Sequence, residues 1–117
     1  EAPLRKSAVE MLALALHELL TNAIKYGALA SDSGRLSVTW HIEGKPPDLR
    51  LELEWIEQGI APSPTLNAVR TGYGRTLIEQ ALPYSIGAAV CYELGAEGLR
   101  CVISLPVWVP RADEMAV

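Results

Sequence analysis

The 117-residue chain has little positive charge: ten Lys and Arg stand against fourteen Asp and Glu, for a net charge of -4. That excludes the broad basic field that holds a nucleic-acid backbone, so no nucleic-acid partner is expected. Any phosphate ligand must be held by a few placed groups. No apolar run reaches the roughly 18 residues that a membrane helix needs, and the beginning, EAPLRKSAVEM, has neither an initiator Met nor a signal-peptide layout. The expectation is a piece of a larger protein, cytoplasmic, without direct membrane contact. Cysteine is scarce as well. Cys91 and Cys101 lack metal-ligand spacing and have only His17 and His41 as possible co-ligands. A hairpin centred near Ala96 would set the two thiols opposite each other on one sheet face, and two small, reduced core residues are the plainer reading.

What is present is a regular alternation of elements. From about Ser7 to Tyr26, Val9, Leu12, Ala13, Leu16, Leu19, Leu20, Ala23 and Ile24 fall on one arc of roughly 140° at helical spacing. Gly27 is a natural stop. Leu36, Val38, Trp40 and Ile42 alternate with polar residues after the Asp32-Ser33-Gly34 turn, which predicts a half-buried strand with His41 on its surface side. Leu51, Leu53 and Trp55 alternate likewise after Gly44–Asp48, and the two runs predict a hairpin. The stretch from Glu57 to Gly72 reads as a loop. A short helix is expected over about Gly74–Leu82, strands over about Gly87–Glu93 and Leu99–Leu105, and a tail over 106–117. One domain over 1–117 follows: an α/β two-layer sandwich, its mixed sheet covered on one face by helices.

Two features of this layout carry chemistry. Glu18, Asn22 and Lys25 stand within about 60° of each other on the helix wheel, nearly opposite the apolar arc. An amide oxygen can ligate Mg²⁺, an ammonium can pair with phosphate, and a carboxylate can accept a proton. The same spacing also suits a plain solvated face. Met11 and Leu14 on that face, where charge would be ordinary, weigh against the plain reading. The second feature is Glu57, which shares strand parity with Leu51, Leu53 and Trp55. An acid that continues a buried stripe needs a partner, because an unpaired polar group there costs roughly 1–3 kcal/mol. A purine amino group would serve, and solvent at a fraying strand end is the alternative. Gly72-Tyr73-Gly74 before a helix could let backbone approach phosphate, although such a triplet alone is more often just a turn.

His17-Glu18-Leu19-Leu20-Thr21-Asn22-Ala23-Ile24-Lys25-Tyr26-Gly27 resembles the N box of sensor histidine kinase ATP-binding domains, in particular the HWE subgroup of the Bergerat-fold GHKL superfamily. Trp55-Ile56-Glu57 resembles that subgroup's Trp-x-Glu signature. Gly72-Tyr73-Gly74-Arg75-Thr76-Leu77-Ile78 resembles the second glycine box, and Gly98 to Pro106 the last strand. The resemblance implies a Bergerat-type sandwich that binds ATP with Mg²⁺ and passes the γ-phosphate to a histidine on a separate phosphoacceptor helical domain, with a response regulator downstream. It implies Asn22 as the Mg²⁺ ligand, Lys25 on phosphate, Tyr26 against adenine, Glu57 on the adenine amino group and Glu18 as candidate base. His17 is either a catalytic or an orienting histidine. Gly59, Gly72, Tyr73, Gly74 and Leu77 would line the nucleotide. One departure stands out: the family usually has a second glycine after Glu-x-Gly, and here Ala61 follows Gln58-Gly59-Ile60. An ATP-sensing module without transfer activity and a related protein serine kinase are the rival readings.

Overall fold

The structure is a computed structural model that describes residues 6–59, 73–95 and 98–107. The chain begins with α1 (Lys6–Lys25), followed by a short 3₁₀ turn, Ala28–Ala30. Strands β1 (Arg35–Glu43) and β2 (Arg50–Gln58) come next. A helical run then comprises α2 (Tyr73–Thr76), a π turn (Leu77–Ala81) and α3 (Leu82–Ile86), before β3 (Ala89–Leu94) and β4 (Leu99–Pro106). The strands form one sheet in the order β1-β2-β4-β3. All three pairings among the described strands are antiparallel, so the mixed sheet expected from sequence is here purely antiparallel. Because β2 and β3 are each antiparallel to β4, they run parallel to each other with β4 between them, and the helical run lies in the crossover connection that joins them.

Strand parity sorts the two faces. Leu53, Trp55, Cys101, Ile103, Leu99 and Tyr92 point to the helix layer and are buried together with Leu12, Ala15, Leu19, Ile78 and Leu82. The opposite face carries charge. There Arg100 reaches Glu54 at 2.8 Å and Glu93 at 3.1 Å, crossing from β4 to both of its neighbours. These two carboxylates, Glu93 first, raise the affinity of the Arg100 guanidinium for its proton. The β1–β2 hairpin forms as expected, but β1 is an edge strand that the helices cover only in part. Leu36 and Val38 are half-buried, whereas Trp40 is 67% exposed.

The helix layer differs from the expected one in a way that moves the site. On α1 the buried residues are Ala8, Leu12, Ala15, Leu19 and Ala23, while Val9, Leu20 and Ile24 of the predicted apolar arc are exposed, Ile24 at 55%. The packed stripe is therefore rolled toward the Glu18–Asn22 side. Alanines at positions 8, 15 and 23 let the helix settle close against its neighbours, and a wheel weighted by hydrophobicity alone does not register that fit. By length and composition α1 would be long and apolar enough to cross a membrane. Here Ala15, Leu19 and Ala23 are sealed in the core.

The second helical run extends past the expected end at Leu82 as far as Ile86. Pro83 lacks an N–H and would crowd the carbonyl four residues back in a regular helix. It sits instead near the start of α3, directly after the π turn, in which the Leu82 N–H bonds to the Leu77 carbonyl. Gly87 ends the run, its N–H bonding to the Pro83 carbonyl at 3.2 Å.

The β3–β4 hairpin corrects the cysteine expectation. Its register pairs Cys91 with Val102 and Tyr92 with Cys101, one residue away from the assumed centre. A one-residue slip exchanges the faces of every side chain. Cys91 is exposed and Cys101 buried, and both are free thiols. Burial, with smaller contributions from Cys91 and Glu79, pushes the Cys101 thiol up to about 12.

Candidate functional site

The end of α1 and the end of β2 meet through one carboxylate. Glu57 is 1% exposed. Its Oε1 accepts the backbone N–H of Ala28 at 3.0 Å, and its Oε2 accepts the indole Nε1–H of Trp55 at 2.8 Å. Parity explains the second contact, since residues 55 and 57 are successive on one face. The parity argument for the buried face therefore holds, and the partner that a buried acid requires is supplied by the protein. A nucleotide is not needed to account for the burial of Glu57.

Ala28 is held from its other side as well. A Cβ on Gly34 would stand 1.9 Å from the Ala28 carbonyl oxygen, so only glycine lets the chain pass there. Gly59, one of the residues nominated from sequence, has φ +75 and would place a Cβ 2.4 Å from the Ser33 carbonyl oxygen. Both reasons require glycine at that position. Glu57, Ala28, Gly34 and Gly59 thus form a tight junction between the segment after α1 and the end of β2.

The roll of α1 also changes the surroundings of its polar residues. Glu18 and Asn22 are half-buried, bordering the packed stripe rather than lying opposite it, and Tyr26, just past the helix, is half-buried too. Lys25 is exposed at the last helical position. His17 is exposed and lies about 140° around the helix from Asn22, so the two are not brought together. His41 is a surface residue, as expected, at 2.7 Å from Glu43 Oε1. Among the described residues no group of three or more His, Cys, Asp or Glu side chains could hold a metal ion. A Mg²⁺ at Asn22 would accordingly draw its other ligands from phosphate and water, which is ordinary for this ion.

The second glycine box is only partly placed. Gly72 and Ala61 lie outside the described residues, and Tyr73 and Gly74 contribute helical backbone at the start of α2. Leu77 is buried at the start of the π turn. Two features were not anticipated from sequence. One is Ala28, whose contribution is a backbone amide that no residue type could advertise. The other is Arg75, whose guanidinium lies 4.8 Å from the centre of the Tyr92 ring while its Nε donates to Glu79. An i,i+4 Arg–Glu pair was legible, but its seat on Tyr92 depends on the β3 register.

A shallow pocket of about 190 Å³ opens on the outer face of the sheet, between Thr39, Glu52, Glu54 and Arg100. None of the residues nominated from sequence lines it, and its Arg100 and Glu54 are already paired with each other. The candidate site is the junction at Glu57 together with the Glu18–Asn22 side of α1.

No protein-family model matches the chain. Over 107 residues, 88% of its length, it is 39% identical to blue-light-activated histidine kinase 1 of Erythrobacter litoralis (strain HTCC2594). Over 96 residues, 82% of its length, it is 32% identical to the blue-light-activated histidine kinases of Brucella ovis and Brucella canis. The matched segment spans 28% of the first relative and 19% of the other two.

Proposed function

The chain is a relative of the histidine kinases, and on that premise we propose that it binds Mg-ATP and presents the γ-phosphate to a histidine on a separate helical domain. The observation that carries this reading is the junction itself. The turn that follows the N-box helix and the Trp-x-Glu strand are tied together by the Ala28–Glu57 hydrogen bond, between residues 29 positions apart in the chain. Two sequence boxes with no local reason to meet are linked through that bond.

The donor set suits the ligand. Asn22 offers an amide oxygen to the metal, Lys25 an ammonium to phosphate, and Tyr26 an aromatic face to a base. Bound Mg²⁺ would supply charge neutralisation at the phosphates. Glu18, one turn before Asn22, would hold the acceptor imidazole and take its proton. The rest of catalysis is positioning: two reactants held in one geometry need no further chemistry from the protein. His17 and His41 are exposed on a regular helix and a strand, and the acceptor histidine is assigned to neither.

Calorimetric titration of the chain with ATP, with and without Mg²⁺, tests the reading. Saturable binding that tightens with Mg²⁺ is expected. Absence of ATP binding under both conditions would overturn it.

A further inference from the structure

We infer that Trp55 is a positioning residue for base recognition: its indole N–H fixes the Glu57 carboxylate in the orientation that accepts the purine 6-amino group. The inference rests on the reading that a purine nucleotide docks at Glu57. It adds a role for a residue that the sequence placed in the apolar stripe and in the Trp-x-Glu signature without assigning it a function.

A carboxylate at the end of a side chain with three rotatable bonds does not hold one orientation through a single anchor. Among the described residues Glu57 has two anchors of different origin. The Ala28 amide fixes Oε1 at 3.0 Å and the Trp55 indole fixes Oε2 at 2.8 Å. The indole is itself enclosed by packing, because Trp55 is 4% exposed and belongs to the same core cluster as Leu53, Cys101 and Ile103. Phe, Leu or Tyr could fill comparable space at position 55, and none carries an N–H at the edge of the ring where this one lies. With a donor on each oxygen, the group can meet a ligand as an acceptor in a fixed plane. That is the requirement for distinguishing an amino group from a carbonyl oxygen.

A purely structural Trp would affect every ligand alike through the fold, whereas a positioning Trp affects only a ligand that carries the amino group. The 117-residue chain, Trp55→Phe, and the chain with 3-benzothienylalanine at position 55, which replaces N–H by sulfur at nearly unchanged shape, are titrated with two ligands. These are Mg-ATP and the Mg-bound triphosphate of purine riboside, which lacks the 6-amino group. Both variants are expected to bind ATP about three- to tenfold more weakly and the riboside triphosphate within about twofold of the unmutated chain. Equal weakening for the two ligands, or unchanged ATP affinity, overturns the inference. An unmutated chain that binds neither ligand removes the nucleotide reading itself. One that binds both equally leaves ATP binding standing and removes Glu57, and with it Trp55, from base recognition.

Discussion

The Ala28 amide and the Glu57 carboxylate, 29 positions apart in the chain, are joined by a buried 3.0 Å hydrogen bond that pins the segment after α1 to the end of β2. Its energetic consequence is testable without any ligand. Glu57→Ala leaves the Ala28 and Trp55 N–H groups without their acceptor, and hydrogen bonds to a charged group contribute about 1.5–3 kcal/mol each, not additively. We expect Glu57→Ala to destabilise the chain by about 2–4 kcal/mol in urea unfolding. A change under about 0.5 kcal/mol would mean that neither bond supports the fold. Glu57→Gln is a less gentle replacement than its shape suggests, because its amide N–H must face one of the two donors.

Thiol chemistry checks the β3–β4 register. With Cys91 exposed and Cys101 buried on the opposite face, a thiol-specific chromogenic reagent should titrate about one thiol per native chain and both after denaturation. Peptide mapping should find the native label on Cys91. Equal labelling of both cysteines in the native protein would restore the register centred on Ala96.

Alkaline stability follows from the same burial. The Cys101 thiol is raised from its ordinary 9.0 to about 12, chiefly by desolvation. The unfolded chain therefore loses this proton before the folded one does. Stability from this group is intact below about pH 9 and falls as pH rises toward about 12. Cys101→Ala should show a flatter decline than the unmutated chain across that window, measured as the difference between the two stability curves. Parallel curves would assign the alkaline loss to other groups.

Alternation made the sheet legible. Leu36–Ile42 and Leu51–Trp55 gave both strands and their hairpin, and parity placed Glu57 on the buried face. The roll of α1 was not legible, because Val9, Leu20 and Ile24 outweigh Ala8 and Ala15 in hydrophobicity but not in fit. The hairpin register turned on a single residue in a four-residue connection, below what composition resolves. Within the site, side-chain types pointed to Asn22 and Glu57. The pairing of Glu57 with a backbone amide left no trace in the sequence, since every residue but proline offers one.

Metal dependence should reside in one side chain. Asn22 borders the packed stripe of α1 and is half-buried, so Asn22→Ala should change stability by less than about 1 kcal/mol. If the amide is the one protein ligand for Mg²⁺, the variant should bind ATP with the same affinity with and without the metal. A variant that still binds Mg-ATP more tightly than metal-free ATP would remove Asn22 from that role.

Base selectivity is the sharpest consequence of a carboxylate held by two donors. On the proposed reading Glu57, which accepts from Ala28 and Trp55, would meet a base as an acceptor. Adenine presents an amino donor where guanine presents a carbonyl oxygen, so guanine would set acceptor against acceptor in a buried place. Mismatches of that kind reject a ligand more strongly than a lost contact does. A hydrogen bond to a charged group corresponds to about one to two decades of affinity. We therefore expect ATP to bind at least about tenfold more tightly than GTP in calorimetric titration. Because Glu57→Ala also weakens the fold, the informative quantity is the ratio of the two affinities, measured where the variant is fully folded. That ratio should shrink toward one. A selectivity that survives the loss of the carboxylate would place base reading elsewhere in the site and leave Glu57 as the clamp between α1 and β2.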